Sequence, residues 1–295
     1  MSLSSSKTNT NSKCAACGKE GDDLKVCTAC HMVKYCNRDC QISHRKQHKK
    51  ACKKRAAELY DEKLFKEVEP EECPICFLPM PIKADETTFE SCCGKSICNG
   101  CIYAMIMSEG KDLCAFCRTP NASSDEEHIN RTKKLIDNGN AGAMHLLAGI
   151  YDQGLYGMPQ DNQKAYALYL KAGEQGSADA YSRLGILYRL GTGVERDMKK
   201  AQHYWQLAAM MGDVDARCNL GVLEWNAGNY IRAFKHYTLA ARVGSKDALD
   251  EVKNGFVKGL VTKDEYASTL RAHQQRLNEM KSDERDKAAS ERIRN

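Results

Sequence analysis

Residues 73–118 read CPICFLPMPIKADETTFESCCGKSICNGCIYAMIMSEGKDLCAFCR. Eight cysteines fall in this stretch: Cys73, Cys76, Cys92, Cys93, Cys98, Cys101, Cys114 and Cys117. Three of the pairs have C-x-x-C spacing, which lets two thiolates reach one zinc from a tight turn. Cys92 and Cys93 are adjacent, and neighbouring side chains point apart in extended chain. Either a sharp turn at Gly94 brings both to one metal, or only one of them binds and that site is incomplete. The spacing predicts a compact zinc module, with a second cysteine-rich stretch before it and a long helical stretch after it.

Of the 16 cysteines, 15 precede residue 118, so the chain divides into a metal-dependent part and an ordinary part. The opening residues, MSLSSSKTNTNSK, are polar and hold no apolar h-region, so no signal peptide is expected, and residues 1–13 are expected to be disordered. No run of 18 apolar residues occurs, and no membrane span is expected. Paired cysteines without a secretion signal favour zinc over disulfides and a cytoplasmic or nuclear location. The net charge of +5 is uneven: residues 1–69 hold 15 Lys and Arg against 9 Asp and Glu. The densest basic run is His44–Arg55, read as the solvated face of a helix. Nucleic-acid association through it is a weaker alternative, because no aromatic residue is interleaved for base stacking.

Upstream, Cys14/Cys17, Cys27/Cys30, Cys36/Cys40 and His48/Cys52 supply eight ligands, enough for two tetrahedral sites. The last two pairs are spaced i, i+4, which places each on one helix face, so short helices are expected to close over the first two pairs. With its YCNRDCQ and HKKAC strings, the stretch 14–52 resembles a MYND-type zinc finger. The resemblance implies interleaved sites, Cys14, Cys17, Cys36 and Cys40 on one zinc and Cys27, Cys30, His48 and Cys52 on the other. That family usually carries Trp where this chain has Arg45, which puts its short-peptide ligands in doubt here. His44 has the wrong spacing for a ligand and is read as surface. Residues 53–70 read as a charged helical linker ending at Pro70.

The stretch 73–118 resembles a RING finger in its all-cysteine form, on the CPIC and CAFCR strings that flank it. The resemblance implies a cross-brace, with Cys73, Cys76, Cys98 and Cys101 on one zinc and Cys92, Cys93, Cys114 and Cys117 on the other. RING fingers act as ubiquitin ligases by docking a ubiquitin-conjugating enzyme. The resemblance assigns that docking to Ile75 and Phe116, and assigns Arg118 to holding ubiquitin during transfer. No Trp occurs in 102–113, where many active members carry one.

From residue 125 the chain repeats itself. GAMHLLAGIYDQG (142–154) recurs as ADAYSRLGILYRLG (178–191) and VDARCNLGVLEWNAG (214–228). Its partner QKAYALYLKAGEQG (163–176) recurs as KKAQHYWQLAAMMG (199–212) and IRAFKHYTLAARVG (231–244). Ala143, Leu147 and Tyr151, like Ala180, Leu184 and Tyr188, form one apolar stripe per helix. Asp161 and Asp197 suit helix N-caps, and Gly176, Gly212 and Gly244 suit the residue after a helix. Tyr169, Trp205 and Tyr237 are read as core, and Cys218 as a core thiol. These units resemble Sel-1-like repeats, relatives of tetratricopeptide repeats, which scaffold other proteins. A weaker fourth unit at 245–259 and a capping helix from Lys263 to Met280 are expected, with 125–137 capping the other end.

The expected architecture is therefore two small zinc-stabilised modules (14–52 and 73–118) followed by an all-α solenoid over 125–281 and a charged tail of frayed helix at 282–295. About four zinc ions would bind per chain in closed, structural sites, with no catalytic residue. The resemblances imply a protein-interaction protein, a RING-type ubiquitin ligase or ligase adaptor whose repeats recruit targets. The alternative is a non-catalytic scaffold.

Overall fold

The computed structural model describes residues 13–109 and 113–292, so most of the N-terminal stretch expected to be disordered lies outside the described residues. The chain forms two compact units, residues 1–66 and 67–295.

In the first unit, β1 (Lys25–Val26) pairs antiparallel with β2 (Lys34–Tyr35), and α1 (Arg38–Leu64) follows. Asn37 caps α1 by accepting the Cys40 N–H at 2.9 Å. Where the ligand spacing predicts short helices and then a separate linker helix, one helix of 27 residues forms. No Gly or Pro interrupts residues 38–64, and Arg55 ties successive turns through Glu58 (3.2 Å) and Glu62 (2.8 Å). Lys46, Lys49, Lys50, Lys53 and Lys54 of the basic run lie exposed along it.

The second unit begins with the middle cysteine module. After a 3-10 turn at Ala84–Glu86, β3 (Thr87–Glu90) pairs antiparallel with β4 (Lys95–Cys98) in the register Thr87↔Cys98, and α2 (Asn99–Glu109) follows. A helical array comes next: α3 (Asp125–Asp137), α4 (Ala141–Gln153), α5 (Asn162–Glu174), α6 (Ala178–Leu190), α7 (Met198–Met210), α8 (Val214–Asn226), α9 (Tyr230–Arg242), α10 (Lys246–Val257) and α11 (Lys263–Glu279). Local chemistry starts nearly every helix: Ser124, Asn140, Asp161, Ser177, Asp197, Asp213, Ser245 and Thr262 all cap with their side chains. Asn229, which follows the shortened loop between α8 and α9, makes no side-chain cap.

The helices pair as α4–α5, α6–α7 and α8–α9, and a glycine faces an aromatic side chain in each pair, closely in the second and third and at ordinary contact distance from the hydroxyl in the first. Gly149 meets Tyr169, Gly185 meets Trp205 and Gly221 meets Tyr237. All three rings are buried, as are Ala143, Leu147, Ala180, Leu184 and Tyr188 of the apolar stripes. Cys218 is half-buried against the cluster formed by α9 and α10, and burial pushes its thiol up to about 11. α10 and α11 continue the stack as a fourth pair, with α11 packed against α9 as well. Among the described residues no helix is long and apolar enough to cross a membrane.

Two features depart from the modular arrangement that composition suggests. The middle cysteine module packs directly on the array: Phe89 covers Gly142 of α4, and Asn140 donates from Nδ2 to the Gly94 carbonyl at 3.2 Å. The charged tail, expected as frayed helix, forms α12 (Asp283–Arg292), which does not stand free but packs along α2. Gly100 permits that approach, since a Cβ there would sit 2.6 Å from Arg285 Cγ.

Candidate metal centres

Four turns of one design present most of the thiols. In four of the five C-x-x-C segments the residue after the second cysteine is left-handed: Gly18 (φ 73°), His31 (56°), Phe77 (57°) and Arg118 (61°); in the fifth, Cys98/Cys101, the chain continues into α2 instead. In the four, that residue's N–H donates back to the carbonyl of the first cysteine: Gly18 to Cys14 (2.9 Å), His31 to Cys27 (2.9 Å), Phe77 to Cys73 (2.9 Å) and Arg118 to Cys114 (3.0 Å). The closed turn aims backbone N–H groups at the first sulfur, which favours thiolate, the form that binds metal. The Cys14 thiol is held down at about 6, chiefly by the Cys17 N–H. At Cys27 and Cys73 burial opposes ionisation, yet the Cys30 and Cys76 N–H groups help bring the thiols to about 6 and about 7.

The structure brings the candidate ligands together in four sets: Cys14, Cys17, Cys36 and Cys40; Cys27, Cys30, His48 and Cys52; Cys73, Cys76, Cys98 and Cys101; and Cys92, Cys93, Cys114 and Cys117. Within each set all ligand atoms lie within 4.8 Å of one another. Sulfurs at the corners of a tetrahedral zinc site with ordinary Zn–S bonds stand about 3.8 Å apart. Observed separations are 3.7 Å for Cys17–Cys36, 3.8 Å for Cys27–Cys52, 3.8 Å for Cys73–Cys101 and for Cys76–Cys98, and 3.9 Å for Cys93–Cys114, with Cys36–Cys40 and Cys92–Cys117 closer at 3.3 and 3.4 Å. His48 Nε2 lies 3.2 Å from Cys30 Sγ. No cysteine is in a disulfide. Each of the four clusters is thus able to hold zinc.

Secondary structure explains the pairings. In the first unit α1 carries Cys40, His48 and Cys52, so one helix serves both sets. His44, read from its spacing as a surface residue, is half-buried, with Nδ1 3.1 Å from the Tyr35 hydroxyl and its ring stacked on His48 at 5.8 Å. In the second unit β4 ends on Cys98 and Cys101 lies in the first turn of α2, which joins their set to the first knuckle. The adjacent Cys92 and Cys93 both enter one set because the chain reverses there, with Gly94 N–H bonded to the Glu90 carbonyl at 2.8 Å and φ at +70°. Gly94→Ala would be strained at that φ and would place a Cβ 2.5 Å from Asn140 Nδ2. The variant is expected to cost about 1–3 kcal/mol and to release zinc from this set faster, followed with a chromogenic chelator. Gly18→Ala is the control, having φ +73° but nothing within 4 Å of the added carbon.

Arg285 is a residue that local spacing does not reveal. It donates from Nη1 to the Pro79 and Met280 carbonyls, both at 2.8 Å, and from Nη2 to Cys76 Sγ at 3.5 Å. Four thiolates around one Zn²⁺ leave a net negative centre, and a guanidinium bonded to a ligand sulfur offsets it.

Of the docking residues implied by the RING resemblance, Phe116 is 43% exposed and Arg118 is exposed on the knuckle that holds Cys114 and Cys117. Ile75 is half-buried against the Cys73 cluster.

Comparison with known proteins agrees with this division. Residues 14–52 match the model of the MYND finger family, and residues 141–177, 178–213 and 215–245 each match the Sel1 repeat. The chain carries a MYND finger and three Sel1 repeats. Between them, the clusters at 73–117 fit RING-like zinc sites. An uncharacterized protein of Neisseria meningitidis serogroup B is 34% identical over 98 residues, 33% of this chain and 20% of its own. The ERAD-associated E3 ubiquitin-protein ligase component HRD3B of Arabidopsis thaliana is 34% identical over 115 residues, 39% of this chain and 18% of its own. The chain thus spans about a fifth of the length of these curated relatives. Among solved structures, a Sel1 repeat protein from Oxalobacter formigenes aligns at TM-score 0.46 and 23% identity, over 60% of this chain and 71% of that one. The protective antigen c5321 of uropathogenic Escherichia coli aligns at TM-score 0.47 and 23% identity, over 54% and 35%.

Proposed function

We propose that the chain is a zinc-stabilised interaction protein working as a RING-type ubiquitin ligase or ligase adaptor. In this reading the RING-like module at 73–118 receives a ubiquitin-conjugating enzyme, and the helical array at 125–281, with its Sel1 repeats, recruits targets. The observation that carries it is Phe116, an apolar ring left 43% exposed between the metal-ligand positions Cys114 and Cys117, with Arg118 exposed just beyond Cys117. A metal-fixed loop that offers an aromatic ring and a guanidinium to solvent suits docking, because little order is lost on binding. The name of the Arabidopsis relative, an E3 ligase component, points the same way.

Phe116→Ala is the cleaner test of docking, since Ile75 also packs against the zinc cluster and Ile75→Ala would disturb both. Losing one central apolar contact costs about 1–3 kcal/mol, so docking of a conjugating enzyme should weaken about 5- to 150-fold. Arg118→Asn, which tolerates the left-handed backbone, should slow ubiquitin discharge and leave docking nearly intact. Discharge and binding are measured separately with zinc-loaded protein. If the wild type discharges none of a broad panel of charged conjugating enzymes, the ligase reading fails. The non-catalytic scaffold then takes its place, a reading favoured by one feature: α12 and Arg285 already cover part of α2 and the first knuckle.

A further inference from the structure

Residues 67–69, which lead from the end of α1 towards the RING-like module, and Ile82 within that module lie against the repeat array. Val68 sits on the turn after α7, where a Cβ at Gly212 would come within 3.1 Å of Val68 Cγ1. Ile82 sits on the matching turn after α9, 2.8 Å from where a Cβ of Gly244 would be. Between these seats, Glu67 pairs with Arg242 in the last turn of α9, and Glu69 pairs with Arg276 of α11 at 3.7 Å. A third guanidinium, Arg217 of α8, is 2% exposed in the same groove. Burial pulls it down to about 10, with Asp213 and Glu67 acting against that. The groove retains a cavity of about 180 Å³ beside Glu67, Val68 and Glu69.

Three arginines brought to one groove repel each other and are costly to desolvate unless an anion joins them. Asp213 acts on Arg217, and Glu279 of α11 pairs with Arg276 at 3.2 Å. The linker supplies the anion at Arg242 and a second one at Arg276, and does so incompletely. Glu67 and Glu69 have side chains 62% and 94% exposed, so their ion pairs are weak and readily exchanged. The Nε atoms of Arg242 and Arg276 are buried without a hydrogen-bond partner, which leaves donor capacity in the groove. The equivalent turn of the first repeat, at Gly176, has φ +99° and nothing within 4 Å of a Cβ position, so the linker does not cover it.

We propose that this groove is a recognition site for an acidic peptide of a partner protein, with an apolar residue between acidic ones, and that Glu67-Val68-Glu69 occupies it in cis. The proposal rests on the reading of the repeats as the recruiting part, and is independent of ubiquitin discharge by the RING-like module. A tethered segment competes at an effective concentration on the order of millimolar, so a partner peptide binds weakly until the tether is displaced.

The test uses zinc-loaded full chain and a fluorescein-labelled peptide with the sequence of residues 65–72, FKEVEPEE. Glu67→Gln with Glu69→Gln changes two exposed side chains and should not disturb folding, checked by the thermal melt. This variant is expected to bind the probe at least tenfold more tightly than wild type, with affinity falling as salt rises. Adding Arg242→Gln should remove at least tenfold of that affinity, and Arg276→Gln replaces it if the first variant melts early. A probe with Gln for every Glu should not bind. Equal probe affinity in wild type and the Glu variant overturns the proposal, as does binding that survives loss of the arginines. Self-association of the Glu variant without probe binding also overturns it, assigning the groove to a second copy of the chain. Failure here with ubiquitin discharge intact would leave the ligase reading standing.

Discussion

Removing zinc with a strong chelator is expected to release about four ions per chain and to unfold both zinc modules, while the middle of the repeat array stays helical. Each structural zinc contributes on the order of 10 kcal/mol to folding, and nothing else in these modules approaches that. The cluster at the heart of the first unit is Cys14, Cys27, Cys30 and Tyr35, and that of the RING-like module is Cys73, Ile97, Cys98 and Cys114. Cores so small and so rich in ligands collapse without the metal. The array is different, because Met144, Ala148, Tyr169, Leu184 and their neighbours bury one another without a ligand set. Its ends should nevertheless weaken. Asn140 would lose the Gly94 carbonyl and α12 would lose α2, though Asn140 keeps its cap to the Ala143 N–H at 2.8 Å. Hydrogen exchange on the full chain should therefore show protection lost from 14–66, 73–118 and α12, thinned in α4, and retained in α5 to α8. Exchange that rises equally in α5 to α8 would show that the array depends on zinc. An unchanged pattern, with elemental analysis finding no zinc before chelation, would remove the metal reading altogether.

How far these features could be read from the chain depends on the distance between the interacting residues. Ligand pairs are local, so C-x-x-C and i, i+4 spacings expose them directly, and helix caps such as Asp161 and Asp197 are equally local. The continuity of α1 was also visible, in a breaker-free run from 38 to 64, but the two ligand pairs at its start suggest short helices instead. Gly149, Gly185 and Gly221 recur 36 residues apart, a signal that repeats in plain view yet gains meaning only when an aromatic side chain is found facing each. Arg285 could not be found this way. It lies 209 residues from the sulfur it meets, in a segment so charged that composition reads it as a solvated tail. The same holds for Glu67 and Arg242, whose pairing depends on how the linker crosses the array.

Trp205→Ala is expected to remove about 3–5 kcal/mol from the stability of the array, a large share of the ordinary margin of about 5–15 kcal/mol. The indole is 1% exposed, fills the crossing of α6 and α7, and donates from Nε1 to the Ser182 carbonyl at 3.2 Å. Truncation leaves both a cavity and an acceptor without its donor. Gly185 is the other half of this contact, because a Cβ there would lie 2.3 Å from Trp205 Nε1. Gly185→Ala should cost about 1–3 kcal/mol by overpacking, although alanine is intrinsically the better helix former by about 1 kcal/mol. The two changes meet at one point, so they should not add. With the indole gone, the methyl of Gly185→Ala enters vacated space and the helix propensity acts unopposed. Gly185→Ala should then stabilise the Trp205→Ala background by up to about 1 kcal/mol, reversing its sign. Urea titrations of the four zinc-loaded proteins, followed by far-ultraviolet dichroism, measure this cycle. If Gly185→Ala proves neutral in the wild type, or costs the same in both backgrounds, the glycine is not where the two helices are held in contact.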